Sequence, residues 1–211
     1  MKQGILFDLD GTLWDSVACI TPAWNRVLKK FGVSVTTPYL RSLMGKTAEE
    51  FAAALLPGED PTKEGLATVD ACCREELIEL RLYGGILYPG LRETLEAVKP
   101  GRRLYIVSNC QEGYIDAFLD YHGFRDLFDG YLDHSTGLSK GGNIRLLMER
   151  EGLDRAVYVG DTAGDEASAR EAGVPFVFAA YGFGRAENPD KTIHSLSQLP
   201  GVLEELCASR T

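Results

Sequence analysis

The chain has 211 residues, 45% of them hydrophobic and 25% charged, an ordinary globular composition with room for one large α/β domain or a core plus a small insert. Its net charge of −9 at pH 7 opposes nucleic acid and anionic membranes as partners, and no apolar run reaches the roughly 18 residues of a membrane span. Asp8 interrupts the apolar run Ile5-Leu6-Phe7, so no secretion signal is legible, and the five cysteines show no C-x-x-C spacing; a cytoplasmic protein with reduced thiols is expected, monomeric or a small homo-oligomer.

Taken in chain order, the first element is a strand over Gln3 to Phe7, closed by Asp8-Leu9-Asp10-Gly11-Thr12. Alternation along an extended backbone sends Asp8 and Asp10 to the same side, where two like charges need a positive partner. Hard oxygen donors on a tight turn suit Mg²⁺. Asp-x-Asp-Gly alone is also the composition of a plain turn, so the motif acquires meaning only from the rest of the chain.

From Ser16 to Tyr83 the pattern turns helical, at Ile20 to Phe31, Tyr39 to Met44, Ala48 to Leu55 and Val69 to Leu82, with the turn-rich segment Leu56-Pro57-Gly58-Glu59-Asp60-Pro61 between the last two. Beyond it, strands at Arg103 to Val107, Gly130 to Leu132, Ala156 to Val159 and Pro175 to Phe178 alternate with helices at Glu112 to Tyr121, Gly142 to Arg150, Glu166 to Ala172 and Val202 to Ala208. This alternation predicts a Rossmann-like parallel α/β sheet, made of residues 1–15 and 85–211. Residues 16–84 are expected to form a small α-helical insert between the first and second strands, with hinges near Leu13 to Ser16 and Gly84 to Gly90.

Ligands of open parallel sheets bind at the carboxyl ends of the strands. Asp8 and Asp10 stand at the end of the first strand, Ser108-Asn109 at the end of the second, and Gly160-Asp161-Thr162 closes the strand over Ala156 to Val159, while Lys140 precedes a helix leading there. Asp165 follows Asp161 by four residues, the spacing of neighbours on one helical face.

In this order and spacing Asp8, Asp10, Thr12, Ser108, Lys140, Asp161 and Asp165 resemble the four motifs of the haloacid dehalogenase superfamily, in its phosphoglycolate phosphatase-like and β-phosphoglucomutase-like branch with a helical cap. The resemblance implies a Mg²⁺-dependent phosphatase acting on a small phosphomonoester. It makes Asp8 the nucleophile that becomes an aspartyl-phosphate and Asp10 the acid and base. It also implies that Asp8, Asp161 and the Asp10 backbone carbonyl hold the metal. Ser108, Asn109, Thr12 and Lys140 then bind the phosphoryl group, and Asp165 orients Lys140 or metal-bound water from behind.

Asp10 disfavours a dehalogenase, which has no use for an acid at that position. A β-phosphoglucomutase-like transfer between sugar hydroxyls is the nearest alternative, weakened because Ala48 stands where those enzymes typically carry an arginine. A receiver-like phosphoacceptor domain is more remote, since it has no cap. Met44-Gly45-Lys46-Thr47 is not a phosphate-binding loop, because Leu40 occupies its first glycine position and no strand precedes it. Cys110 reads as a space filler, His122, His134 and His194 as structural or surface histidines, and Trp14 and Trp24 as packing, Trp14 being the nearer to the nucleophile. Arg41, Lys46 and Arg74 are the cap cations available to a distal anionic group, although a solvated helix charge is the plainer account of each.

Overall fold

The computed structural model describes residues 2–56 and 63–208, so all but Leu56 of the turn-rich segment after the third cap helix lies outside the described residues. In chain order the elements are β1 (Gln3–Phe7), β2 (Trp14–Asp15), α1 (Val17–Leu28), α2 (Thr37–Arg41), α3 (Ala48–Leu55), α4 (Lys63–Tyr83), β3 (Ile86–Leu87), α5 (Leu91–Val98), β4 (Arg102–Val107), α6 (Tyr114–His122), β5 (Gly130–Leu132), α7 (Lys140–Glu151), β6 (Arg155–Gly160), α8 (Ala163–Ala172), β7 (Phe176–Ala179), β8 (Lys191–Ile193) and α9 (Leu199–Ala208).

Six strands form one parallel sheet in the order β5-β4-β1-β6-β7-β8. The central position of β1 explains its unbroken apolar run: a strand covered on both faces has no solvent side to mark with polar residues. Ile5 and Phe7 enter one core with Leu104, Ile106, Val159 and Val177, while Leu6 points the other way, to Tyr105, Val107, Ile144, Tyr158 and Phe176. Layers of helices therefore cover both faces.

Strand order reverses around β1, since the chain builds outward through β4 and β5 and then crosses to β6 on the other flank. Such a switch point leaves a crevice between diverging connections. Pairing of Phe7 with both Ile106 and Val159 brings the ends of β1, β4 and β6 side by side at that crevice.

Helices α1 to α4 are inserted between β1 and β4. Two short strands absent from the periodicity, β2 and β3, pair antiparallel at the base of this insert, Trp14 with Leu87 and Asp15 with Ile86. The expected hinges are thus tied to each other by a ribbon two residues long on each side. Helix α5 and the edge strand β8 were also absent from the sequence pattern. Both are short, and the polar residues of Leu91-Arg92-Glu93-Thr94-Leu95-Glu96 hide the buried stripe Leu91, Thr94, Leu95 and Val98.

Candidate active site

Asp8 follows the last residue of β1, and its backbone N–H donates to Val159 O at 2.8 Å, continuing the ladder one step beyond the strand. The next turn is closed by Leu13 N–H to Leu9 O at 2.8 Å and Gly11 N–H to Trp14 O at 2.9 Å. Gly11 takes φ +82, and a Cβ there would run into the Asp161 carboxylate. Glycine is therefore required both for the left-handed backbone and for the close approach of the β6 loop.

Lys140 is the first residue of α7, whose Ser139 N-cap accepts from Gly142 N–H at 2.9 Å. Its buried ammonium donates to Asp8 Oδ1 at 2.9 Å and to Asp165 Oδ1 at 2.7 Å. Burial alone would lower the Lys140 pKa, but the Asp165 and Asp8 carboxylates outweigh it and hold the ammonium well above its ordinary range.

Asp165 reaches this position by a route different from the expected one. Asp161 precedes α8, so the two acids do not share a helical face. Asp165 is instead the third residue of α8 in a capping box, its Oδ2 accepting from Thr162 N–H at 3.0 Å and Thr162 Oγ–H at 2.7 Å. That leaves Oδ1 for Lys140 and, at 3.4 Å, for the Tyr158 hydroxyl.

Carboxylate oxygens of Asp8, Asp161 and Asp165 lie within 4.8 Å of one another, all buried, with one ammonium among three acids. Burial first, then the neighbouring Asp165 and Asp8, pushes Asp161 well above the carboxylate range; Asp8 is held at about 6 by burial and Asp165, against Lys140. A missing positive charge is the simplest reading of so many hard oxygen donors in one volume, and it fits Mg²⁺. Asp161 Oδ2 accepts from Phe183 N–H at 2.7 Å and, among the described residues, Oδ1 accepts only from Thr12 Oγ–H at 3.4 Å.

The Asp10 carboxylate turns away from this cluster. Its Oδ1 accepts from Ser16 Oγ–H at 2.5 Å and from the Tyr114 hydroxyl at 3.1 Å. Burial pushes its pKa to about 7, with Asp8 adding to the rise and the Ser16 and Tyr114 hydrogen bonds opposing it.

A cavity of about 440 Å³ opens between these residues and the insert, and Asp8, Asp10, Ser108, Asn109 and Lys140 line its sheet end. Thr12 does not line it, being fully buried with its hydroxyl aimed at Asp161. Asn109 Nδ2 reaches Gly45 O of the insert at 3.5 Å. Cys110 and His134 also border the cavity. Trp14 is packed against Tyr114, Phe118 and His122 away from it, and it is Trp24 that faces the cavity, reversing the order expected from chain position. Arg41 pairs with Asp15 at 2.6 Å and Arg74 with Asp70, so of the three cap cations Lys46 alone borders the cavity.

Sequence reasoning passed over Gly182, Tyr114, Ser16 and Glu76. A Cβ at Gly182 would overlap both Asp161 Cβ and the Gly11 carbonyl oxygen. Gly182→Ala is expected to cost roughly 1–3 kcal/mol by overpacking and to lower turnover about tenfold or more through displacement of Asp161. Thermal melting beside steady-state rates checks this, and an unchanged rate would show that Asp161 tolerates the shift.

The family model for haloacid dehalogenase-like hydrolases matches residues 5–179. The chain belongs to that family. It is 30% identical over 217 residues to a phosphoglycolate phosphatase of Rhodobacter capsulatus, covering 97% of this chain and 98% of the relative. A phosphoglycolate phosphatase of Rhodospirillum rubrum is also 30% identical, over 88% of this chain and 82% of its own length. Among solved structures, a haloacid dehalogenase-like family protein from Streptococcus pneumoniae superimposes with a TM-score of 0.82 at 25% identity, covering 96% of this chain and 98% of the other. Within the phosphoglycolate phosphatase-like branch of the haloacid dehalogenase-like hydrolases, the chain is a Mg²⁺-dependent phosphatase acting on phosphoric monoesters through an aspartyl-phosphate. No described helix is long and apolar enough to cross a membrane.

Proposed function

We propose that the chain hydrolyses a phosphomonoester of metabolite size, with Asp8 as nucleophile and Asp10 as general acid and base. The convergence of Asp8, Lys140, Asp161 and Asp165 at the switch point, beneath a cavity of about 440 Å³, carries this reading. Asp8 attacks phosphorus and the ester oxygen leaves, taking a proton from Asp10; water then attacks the aspartyl-phosphate as Asp10 takes a proton back. A carboxyl held near 7 is suited to both directions of transfer. Two unit negative charges about 4 Å apart repel by roughly 4 kcal/mol at an effective dielectric near 20, so anion must be brought to anion against a real barrier. Lys140 offsets part of it, and Asp165 holds Lys140 in place.

The Asp8 and Asp161 carboxylates and the Asp10 backbone carbonyl would hold Mg²⁺, with Asp165 occupied by Lys140 and its own helix cap. The ion supplies neutralising charge and a fixed orientation for the phosphoryl oxygens. Ser108 and Asn109, on the cavity wall at the end of β4, are the proposed phosphoryl contacts beside Lys140, and Thr12 supports the turn by way of Asp161.

The proposed division is a core of residues 1–15 and 85–211 and a cap of residues 16–84, whose helices close the far side of the cavity. With a cap in the way, a phosphorylated protein side chain has little room to reach Asp8. The relatives' name makes 2-phosphoglycolate one of the esters to compare. Ala48 borders the cavity where a mutase would carry its arginine, which favours water as acceptor. A net charge of −9 supports a small-molecule partner over nucleic acid. Phosphate release with Mg²⁺, measured over small phosphomonoesters and a phosphopeptide, tests the reading. Small esters are expected to be turned over at least about a hundredfold faster per molar than the peptide. A peptide rate equal to theirs would overturn the size limit, and glucose 6-phosphate formed from β-glucose 1-phosphate would restore the mutase.

A further inference from the structure

Glu76 lies on α4 with 3% of its surface exposed, yet it borders the active-site cavity. Its Oε2 accepts from the Trp24 indole N–H and its Oε1 from Gln111 Nε2 at 2.7 Å. Both donors are neutral, and among the described residues no Lys, Arg or His forms an ion pair with Glu76. Arg26, the one basic side chain of α1, is taken up by the half-buried Glu75 and Glu79 of α4. A carboxylate has about four acceptor sites, so about two are left on a group that faces the substrate space. The Trp24 and Gln111 hydrogen bonds favour the ionised form, while burial and the Asp10 carboxylate oppose it.

The rest of the cavity sharpens this asymmetry. Trp24, Phe51 and Val69 give its cap side an apolar surface. Among the described residues no arginine borders the cavity; Lys140 is committed to Asp8 and Asp165, Lys46 has a side chain 42% exposed and lies 3.7 Å from Glu50, and His134 is exposed. A second anionic group on the substrate would meet Glu76 with no buried cation beside it. A protonated nitrogen would meet its missing partner.

We propose that the physiological substrate is a phosphomonoester carrying a cationic nitrogen on a short carbon chain, with Glu76 as the group that recognises it. This rests on phosphomonoester hydrolysis at Asp8 and names the substrate class for it. Burial, with the Asp10 carboxylate adding to it, raises the Glu76 carboxyl to about 8 against the Trp24 and Gln111 hydrogen bonds, so in the free protein it is largely protonated near pH 7 and a cation placed beside it favours its ionisation.

The test uses the intact Mg²⁺-loaded protein and esters that differ only at the far end. The two-carbon set is O-phosphoethanolamine, 2-hydroxyethyl phosphate and 2-phosphoglycolate, with matched three- and four-carbon sets beside it and p-nitrophenyl phosphate as a measure of the phosphatase itself. At the chain length turned over best, kcat/KM is expected to run ammonium, hydroxyl, carboxylate, with about tenfold or more between the first two. Glu76→Gln should collapse that interval, mainly through KM of the ammonium ester, and Glu76→Asp should recover part of it. Preference for the hydroxyl or carboxylate ester in the unaltered protein would overturn the proposal, as would equal rates across a set. So would turnover of p-nitrophenyl phosphate with none of the matched esters, whereas failure on p-nitrophenyl phosphate as well would overturn the phosphatase reading beneath it. Because the order is read first on the unaltered protein, the test stands even if Glu76→Gln does not fold.

Discussion

Asp8→Asn is expected to lower turnover of every phosphomonoester by more than about 10⁴-fold while the protein stays folded, because a neutral amide of the same shape keeps the packing and removes the attacking anion. Asp10→Asn should behave differently, and the difference separates the two roles. Loss of a general acid and base costs about 10²–10⁴-fold on an alkyl ester, whose leaving alkoxide needs a proton. On p-nitrophenyl phosphate the leaving group departs unaided, so Asp10→Asn should release about one equivalent of p-nitrophenolate rapidly and then stall, with phosphate left on Asp8. Asp8→Asn should show no such burst. Rapid-quench kinetics with mass measurement of the trapped protein reads both. Residual turnover of Asp8→Asn within tenfold of the unaltered protein would remove Asp8 as nucleophile, and equal losses of Asp10→Asn on alkyl and aryl esters would remove Asp10 as the acid. Ser16→Ala and Tyr114→Phe, each taking one hydrogen bond from Asp10 Oδ1, should cost about tenfold apiece on alkyl esters and much less on the aryl ester.

The acidic cluster also makes stability depend on pH and metal, with a sign fixed by the direction of the shifts. Asp8 and Asp10 move from an ordinary 3.8 up to about 6 and about 7, chiefly through burial, and Asp161 moves in the same direction. Between the unfolded and folded values the folded protein binds more protons than the unfolded chain, so stability falls as pH rises through that interval. The metal-free protein should therefore lose stability from about pH 4 to pH 7 on account of these groups. Mg²⁺ should reverse the loss at pH 7.5 and do little at pH 5, where protons compete for the same oxygens. At a hundred times its dissociation constant a ligand adds about 2.7 kcal/mol, which for a chain of this length is a rise in Tm of roughly 5–10 °C. Asp161→Asn should raise Tm without metal and abolish the response to Mg²⁺. Melting curves at the two pH values check this, and an equal Mg²⁺ shift at pH 5 and pH 7.5, or a full shift in Asp161→Asn, would contradict it.

Much of the core and of the polar cluster at the strand ends was legible because the features involved are local. The strand over Gln3 to Phe7 coincides with β1, and Gly130 to Leu132 with β5, since a short apolar run bounded by turn residues has few other uses. The four main helices after the cap start two to three residues away from the expected bounds, where capping rather than periodicity fixes the first turn, as Ser139 and Thr162 do for α7 and α8. Spacing misjudged why Asp165 belongs to the site. Four residues from Asp161 suggested a shared helical face, whereas Asp165 is held by the Thr162 capping box and released on its other oxygen to Lys140.

By itself the sequence determined the parallel α/β architecture with a helical insert, and the set of acids, lysine and hydroxyls offered at the strand ends. Chain order and two-residue alternation suffice for that, because both act over a few neighbours. Only the tertiary structure decided which polar groups of the insert meet the substrate. Glu75, Glu76 and Glu79 stand together in one expected helix, Val69 to Leu82, with nothing in the neighbouring sequence to tell them apart. Packing of α4 against α1 and α6 turns Glu75 and Glu79 to Arg26 on the flank of α1, and Glu76 inward to Trp24, Gln111 and the cavity. Gly182 meets Asp161 and Gly11 only because β1 and the loop after β7 converge from opposite ends of the chain. Rotation of a helix about its axis and the approach of distant loops are set by the sum of many packing contacts, and no window of neighbouring residues contains that sum.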